Sequence, residues 1–404
     1  MLRKTIWKQP LVSSPRPRKK LTAVVLHYSW IIWVFLATTC ISLLSISLAC
    51  RNMQFCAISA TRDESDRFKE LLGTQARLEF EEYPPSLKET FELRQKGNLD
   101  FCVVIPSVRR KSRTMYLTRT VQRLIQASLR DAAVSLILLN ADRDPLEHEE
   151  AQFISDFVPM VHSRAIKTEF SIFNEYVDYI EALKVCSHET MSKYIAVFQD
   201  DALVESDFFE LTRTLIHHKF PKNWIYFRPY FPLQWMGYGS HNLDEQLPFI
   251  LLGAVLGSIL TYSWIFSVTR DAKHAFSSKG LSFLVTSASC GGIWAFICLR
   301  ALGRLQILHL RVRNSGYRGY NIIKADDCCI PAAVYRADHV PGLLAFLEAS
   351  LQQGRFNAST IPPIDLMIAE YVHQSIPSSF PVGIEPNIVN HIGQVSSLGH
   401  TFVG

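Results

Sequence analysis

The sequence predicts an α/β fold on a parallel sheet, interrupted by a pair of membrane-spanning helices and preceded by a third. Three observations predict it. Short continuous apolar runs alternate with helical periodicity between residues 101 and 198. Two long apolar stretches stand back to back at 247–268 and 281–302, and another, at 21–49, follows a purely basic tail.

The tail, residues 1–20, carries Arg3, Lys4, Lys8, Arg16, Arg18, Lys19 and Lys20 and no acid, which places it in the cytosol. The apolar run at 21–49 is too long for the core of a signal peptide and lacks a small-x-small cleavage site, so it reads as an uncleaved signal anchor. Residues 50–97, charged with scattered Leu and Phe from Asp63 to Arg94, read as a lumenal stem ending near Gly97.

The first part of the main domain, 98–246, then begins. Phe-Cys-Val-Val-Ile at 101–105, closed by Pro106 and Ser107, has the form of a buried parallel strand. A basic stretch, Arg109, Arg110, Lys111 and Arg113, leads into a helix marked by Leu117, Val121, Leu124 and Ile125. A second strand at 134–139 is stopped by the segment from Asn140 to Pro145. Helical spacing returns at 173–185, and 194–198 is the third strand. Strand, helix, strand, helix, strand implies right-handed crossovers and a parallel sheet covered on both faces. Ligands of such sheets bind beyond the carboxyl ends of the strands.

The stretches at 247–268 and 281–302 can each cross the ~30 Å apolar core of a bilayer. Neither holds an acid, and Arg300 lies near an end. The loop 269–280 sets Arg270, Lys273 and Lys279 against Asp271, so it faces the cytosol. Three crossings return 303–404 to the lumen, where the sequon Asn357-Ala358-Ser359 is a glycosylation acceptor. The alternative for the middle pair is a buried helical hairpin in a large soluble core. Just before it, the aromatic-rich segment from Trp224 to Trp235 either lines a sugar-acceptor site or lies at the bilayer interface.

The net charge of +5 resides mostly in the tail and gives no reason to expect nucleic acid as a partner. Cys40, Cys50, Cys290 and Cys298 fall in or beside the apolar runs, leaving Cys56, Cys102, Cys186, Cys328 and Cys329 for an oxidising compartment. Bridges are expected there, with connectivity open. No cysteine spacing resembles a zinc site.

Gln199-Asp200-Asp201 ends the third strand. Two adjacent carboxylates at the ligand edge of a sheet need a cation or several donors to neutralise them. Mg²⁺ or Mn²⁺, shared with substrate phosphates, is the usual solution, and the basic cluster along the same edge suits a diphosphate. Together they suggest a nucleotide-sugar site. The plainer alternative has Asp201 merely ending the strand, and Asp207 capping the helix from Phe208 with Glu210 completing a capping box.

The run Phe198-Gln199-Asp200-Asp201-Ala202-Leu203-Val204-Glu205-Ser206-Asp207-Phe208-Phe209 resembles the Glu-Asp-Asp variant of the Asp-x-Asp motif of Golgi glycosyltransferases with the GT-A fold. An anchor, half of such a domain, a transmembrane hairpin and then Asp327-Cys328-Cys329-Ile330-Pro331-Ala332 resemble the GPI N-acetylgalactosamine transferase family. The stretch from Asn390 through His391, Gly393, Ser396 and Ser397 to Gly399 is similar to an element shared with the fourth class of N-glycan N-acetylglucosaminyltransferases. The resemblance implies a GT-A-like, Rossmann-like domain in two parts, 98–246 and 303–404, around the hairpin. It also implies inverting transfer of N-acetylgalactosamine from UDP-GalNAc, in β1,4 linkage, to the first mannose of the GPI glycan. The acceptors would be GPI-anchored glycoproteins or the GPI glycolipid, at the Golgi membrane.

Within that reading Asp201 holds the metal and stabilises the leaving diphosphate, and Ser107, Arg109, Arg110 and Asp200 contact the nucleotide. Asp365, after Pro362-Pro363-Ile364, is the candidate catalytic base, a position that also suits a helix N-cap. His391 completes the metal shell, touches the diphosphate or is structural, and Gly393 permits close backbone approach. Ser396 and Ser397 donate to phosphate or cap a turn. Gln199 departs from the family's usual Glu, which shifts a metal chiefly onto Asp201. Two other functions fit the sequence: an N-glycan β1,4-N-acetylglucosaminyltransferase, set apart by the hairpin, and a catalytically inactive membrane-bound scaffold, for which Gln199 gives some licence.

Overall fold

The computed structural model describes residues 62–110, 115–129, 131–231, 243–269, 278–302, 304–325, 330–352, 360–375 and 379–393. The basic tail, the expected anchor at 21–49, Lys111, Arg113, Asp327, Cys328, Cys329, Asn357, Ser396 and Ser397 lie outside the described residues. The chain divides into two compact units, 1–59 with 238–303 and 60–237 with 304–404.

The larger unit begins with helices α1 (Arg62–Phe80) and α2 (Leu87–Gln95). There follow β1 (Asn98–Ser107), α3 (Tyr116–Ser128), β2 (Val134–Asn140), α4 (Glu149–Ile154), β3 (Met160–His162), α5 (Ser171–Glu189) and β4 (Met191–Phe198). Then come β5 (Ala202–Val204), α6 (Phe208–His218) and β6 (Trp224–Arg228). Two helices of the other unit intervene, α7 (Leu243–Thr269) and α8 (Ser278–Leu302). The larger unit resumes with α9 (Arg304–Ser315), β7 (Asn321–Lys324), β8 (Ala332–Arg336), α10 (Val340–Gln352), α11 (Ile364–Ser375), β9 (Phe380–Glu385) and β10 (Val389–His391).

Eight strands form one sheet in the order β3-β2-β1-β4-β8-β6-β9-β7. The first four are parallel; β2, β1 and β4 are the strands that the apolar runs predict, and the short β3 adds a fourth at the edge. The sheet as a whole is mixed, because β8 runs antiparallel to both β4 and β6, and β7 antiparallel to β9. The reason is visible at the edge. The Gln199 amide, just past the end of β4, donates to the Pro331 carbonyl at 2.7 Å, so the chain enters β8 where β4 stops and must run back.

Side chains of β1 alternate between two helical layers. Phe101, Val103 and Ile105 meet Leu117, Val121 and Leu124 of α3 and Phe208 of α6, whereas Cys102 and Val104 belong with Tyr176 and Leu183 of α5, Leu343 of α10 and Met367 of α11. Burying each such large apolar side chain contributes about 1.5–3 kcal/mol. Phe80, Leu87 and Phe91 are buried in the first of these cores, so the segment expected as a stem covers the sheet. Trp224, Tyr226 and Phe227 are buried in β6. The first half of the aromatic segment is therefore core, neither acceptor lining nor bilayer interface, and residues 232–235 lie outside the described residues. Asp207 stands at the N-cap of α6, but its side chain makes no capping bond, so the expected capping box is not formed.

The smaller unit is described through α7 and α8, which pack backbone against backbone. A Cβ added to Gly253 would lie 2.6 Å from the Gly291 carbonyl oxygen, and one added to Gly291 would lie 2.2 Å from that of Gly253. One on Gly257 would come within 2.4 Å of the Ser287 carbonyl. Only glycine allows such approach, the device by which apolar helices associate where lipid offers no hydrophobic drive. Leu251, Leu252, Val255 and Leu260 of α7 and Val285 and Ile293 of α8 are exposed. The stretch Gln246–Ser263 is long and apolar enough to cross a membrane, while the apolar part of α8, Leu284–Cys298, is shorter.

A disulfide joins Cys102 of β1 to Cys186 near the end of α5, across a sequence separation of 84, and Cys290 and Cys298 are free. The bridge ties a sheet-covering helix to an interior strand and restrains the unfolded chain. Replacing both cysteines (Cys102→Ala, Cys186→Ala) is expected to lower stability by about 2–4 kcal/mol. A denaturation midpoint that does not move would show that packing alone fixes α5.

Candidate active site

The carboxyl ends of β1 and β4 bring Ser107 and Gln199-Asp200-Asp201 to one edge, the edge where parallel sheets bind ligands. Asp200 and Asp201 are buried, 5 % and 2 % exposed. They are neutralised from two distant segments of the chain. Arg110, three residues after β1, donates from Nε to Asp200 Oδ2 at 3.1 Å and from Nη2 to Asp200 Oδ1, and the same Nη2 lies 2.8 Å from Asp201 Oδ2. From the C-terminal side, β10 pairs antiparallel with β5, setting His391 opposite Ala202. The Ile392 amide donates to the Asp201 carbonyl at 2.9 Å, and His391 Nε2 stands 3.2 Å from Asp201 Oδ2.

The two carboxylates are thereby made unequal. Burial pushes Asp200 up, outweighing the Arg110 charge. Burial also acts against Asp201, but His391 and then Arg110 overcome it and hold the carboxyl down at about 2. Reciprocally, burial disfavours a charged His391, and the Asp201 carboxylate outweighs it and raises the imidazole. Behind Asp200 lies a buried relay. His148 Nδ1 accepts from the Ala151 amide, which leaves Nε2 to donate to Ser107 Oγ at 2.9 Å, and Ser107 in turn donates to Asp200 Oδ2 at 3.3 Å. Burial keeps His148 below its ordinary value, in line with a neutral ring.

Asp200 is thus occupied by Ser107 and twice by Arg110, whereas Asp201 Oδ1 is buried and has no hydrogen-bond partner among the described residues. A Cβ on Gly393 would sit 2.0 Å from Asp201 Oδ2 and 3.3 Å from His391 Nε2, so glycine is what lets the backbone close over this carboxylate. Among the described residues no group of three or more His, Cys, Asp or Glu side chains could by itself hold a metal. Asp201 nevertheless suits a hard divalent cation that takes its remaining ligands from phosphate and water, the arrangement usual for Mg²⁺, and His391 would join it only after giving up the proton that it shares with Asp201. The bare oxygen of Asp201 fits that use.

Other residues singled out in the sequence are placed differently. Arg109 is exposed, paired with Glu147, and its amide donates to Asp142 at 2.7 Å, so it does not join the carboxylate pair. Asp365 lies in the first turn of α11, one residue inside the helix rather than at its N-cap. It acts electrostatically on Glu175 of α5, whose Oε1 accepts from Gln199 Nε2 at 3.3 Å. Burial, with Asp365 and Asp201 next in size, pushes Glu175 up to about 7. Glu175 and His148 carried no signal in the sequence, since each is a polar residue in an ordinary helical or loop pattern and only the crossovers bring it to this edge.

Residues 101–390 match the family described as GPI-N-acetylgalactosamine transferase PGAP4. Among solved structures, the mannosyltransferase PcManGT from Pyrobaculum calidifontis, in complex with GDP-Man and Mn²⁺, is similar at 10% identity and a TM-score of 0.23, over 83% of this chain and 100% of that one.

Two outcomes follow from the geometry. Gly393→Ala must displace the Asp201 carboxylate or the backbone over it, at an expected cost of about 1–3 kcal/mol. An unaltered melting temperature would show that this closure is loose. Glu175 is raised on folding from its ordinary 4.5, so the stability it confers is complete below that value and is lost as pH rises through about 7. Replacing it (Glu175→Gln) should remove this loss, stabilising the protein at pH 8 relative to pH 5 by ~2 kcal/mol more than wild type, as read by denaturant titration at both pH values.

Proposed function

From the premise that the chain belongs to the GPI-N-acetylgalactosamine transferase family, a family of glycosyltransferases, we propose that it transfers N-acetylgalactosamine from UDP-GalNAc to the first mannose of the GPI glycan, in β1,4 linkage. The observation that carries this reading beyond family membership is Asp201, buried against Arg110 and His391 and with one oxygen bare at the carboxyl edge of the sheet. In this reading Asp201 and His391 hold Mn²⁺ or Mg²⁺, which when bound supplies positive charge to the diphosphate leaving group. Asp200, fixed by Ser107, orients Arg110 toward the same diphosphate. A β-linked product from an α-linked donor requires attack from the face opposite the diphosphate, with a base to take the acceptor's hydroxyl proton. Asp365 is that base, and it acts electrostatically on Glu175, which accepts from Gln199.

The same proposal sets the domain in the Golgi lumen, anchored at 21–49 and by the hairpin, with Asn357 glycosylated. The basic tail, the exposed apolar faces of α7 and α8 and a disulfide suited to an oxidising compartment support it. An acceptor confined to the same membrane would then be presented at high effective concentration.

The test is expression in cells lacking the GPI side-branch, with mass spectrometry of the released anchor glycans. Wild type should restore an N-acetylhexosamine branch, and Asp201→Ala and Asp365→Asn should each reduce it by at least about 100-fold. A branch restored equally by Asp201→Ala would remove the acidic pair from catalysis. No branch from wild type would favour a scaffold.

A further inference from the structure

Arg110 and a divalent cation make claims on the same carboxylate. Its Nη2 lies 2.8 Å from Asp201 Oδ2 while its Nε and Nη2 also bind Asp200, in a site where both acids are buried. His391 stands on the same Oδ2 at 3.2 Å, and the close backbone at Gly393 leaves that oxygen no room to retreat. The one oxygen left bare, Asp201 Oδ1, is part of the same small group. Like charges this close repel, and a divalent ion doubles the repulsion. The guanidinium therefore opposes a cation on Asp201 for as long as it keeps its present contact.

We infer that Arg110 and the divalent cation are alternative partners of Asp201, and that the diphosphate resolves the competition by accepting the displaced Nη2. The inference rests on the metal-dependent reading of this site. Asp200 makes the exchange short. Its bidentate hold on Nε and Nη2, backed by Ser107 and His148, keeps the guanidinium in the pocket, so only the Nη2 contact with Asp201 has to be given up to the diphosphate. Arginine suits the task because its planar fork serves carboxylate and phosphate alike. Cation and nucleotide then bind cooperatively through one side chain, and by linkage each strengthens the other by the same factor.

The experiment titrates Mn²⁺ into the full-length chain in detergent micelles and follows the free-ion signal by electron paramagnetic resonance, with and without UDP. Arg110→Gln should bind Mn²⁺ alone about tenfold more tightly than wild type, and the further tightening by UDP should shrink. Arg110→Lys keeps a charge near Asp200 but cannot fork across both acids, so it should tighten Mn²⁺ binding by a smaller factor, about threefold, and covers the case in which the Gln variant does not fold. Asp201→Asn should abolish binding. If neither Arg110 variant binds Mn²⁺ more tightly than wild type, while Asp201→Asn still abolishes binding, the competition is refuted and the metal site stands. If wild type binds no Mn²⁺ with or without UDP, or Asp201→Asn binds it as well as wild type, the metal-dependent reading fails and this inference with it.

Discussion

The structure turns on burying two adjacent carboxylates at one sheet edge. Leaving a single buried charge unpaired costs about 3–5 kcal/mol, so Asp200 and Asp201 persist there only if the fold supplies cations to both. Arg110 arrives from the loop after β1 and His391 from β10, the last strand among the described residues. This edge is therefore also where the two halves of the larger unit, before and after the apolar helices, are fastened. The β5–β10 ribbon makes that fastening rigid: one backbone bond, Ile392 to Asp201, sets the imidazole's distance from the carboxylate.

The two acids then diverge in role. Asp200, whose oxygens are filled by Ser107 and Arg110, acts as a support, and Asp201, with an oxygen to spare, is the one able to take a ligand. This division follows from position. Asp200 points back toward the β1 loop and the His148 relay, while Asp201 is turned toward the returning C-terminal segment.

The first half of the domain was legible because strands buried on both faces have no polar side to show. The runs at 101–105, 134–139 and 194–198 are such strands, and each carboxyl-end residue could be placed from them. The later strands were not legible for particular reasons. In β9, Phe-Pro-Val-Gly-Ile-Glu carries proline and glycine, which argue against a central strand, and β7 is four residues long. The aromatic weight of Trp224-Ile-Tyr-Phe suggests an interface, when the residues are large because β6 lies between two helical layers. The acidic pair could be singled out because adjacent carboxylates after a buried strand are costly. Glu175 could not, since nothing in an amphipathic helix marks the one glutamate that a crossover carries to the carboxyl edge of the sheet.

Gln199 shows how the same electrostatics reaches beyond the acidic pair. Its side chain donates to Glu175, on which Asp365 and Asp201 also act electrostatically. A glutamate at 199, the residue usual in the resembling motif, would add another carboxylate to that group and offer Glu175 no N–H. The amide instead supplies a donor without a charge, and so fixes the direction of the Glu175 carboxyl beside Asp365. The departure at the first motif position is thus compensated locally. Asp200 is meanwhile engaged by Arg110 and Ser107, so the residue at 199 is not needed to hold it in place.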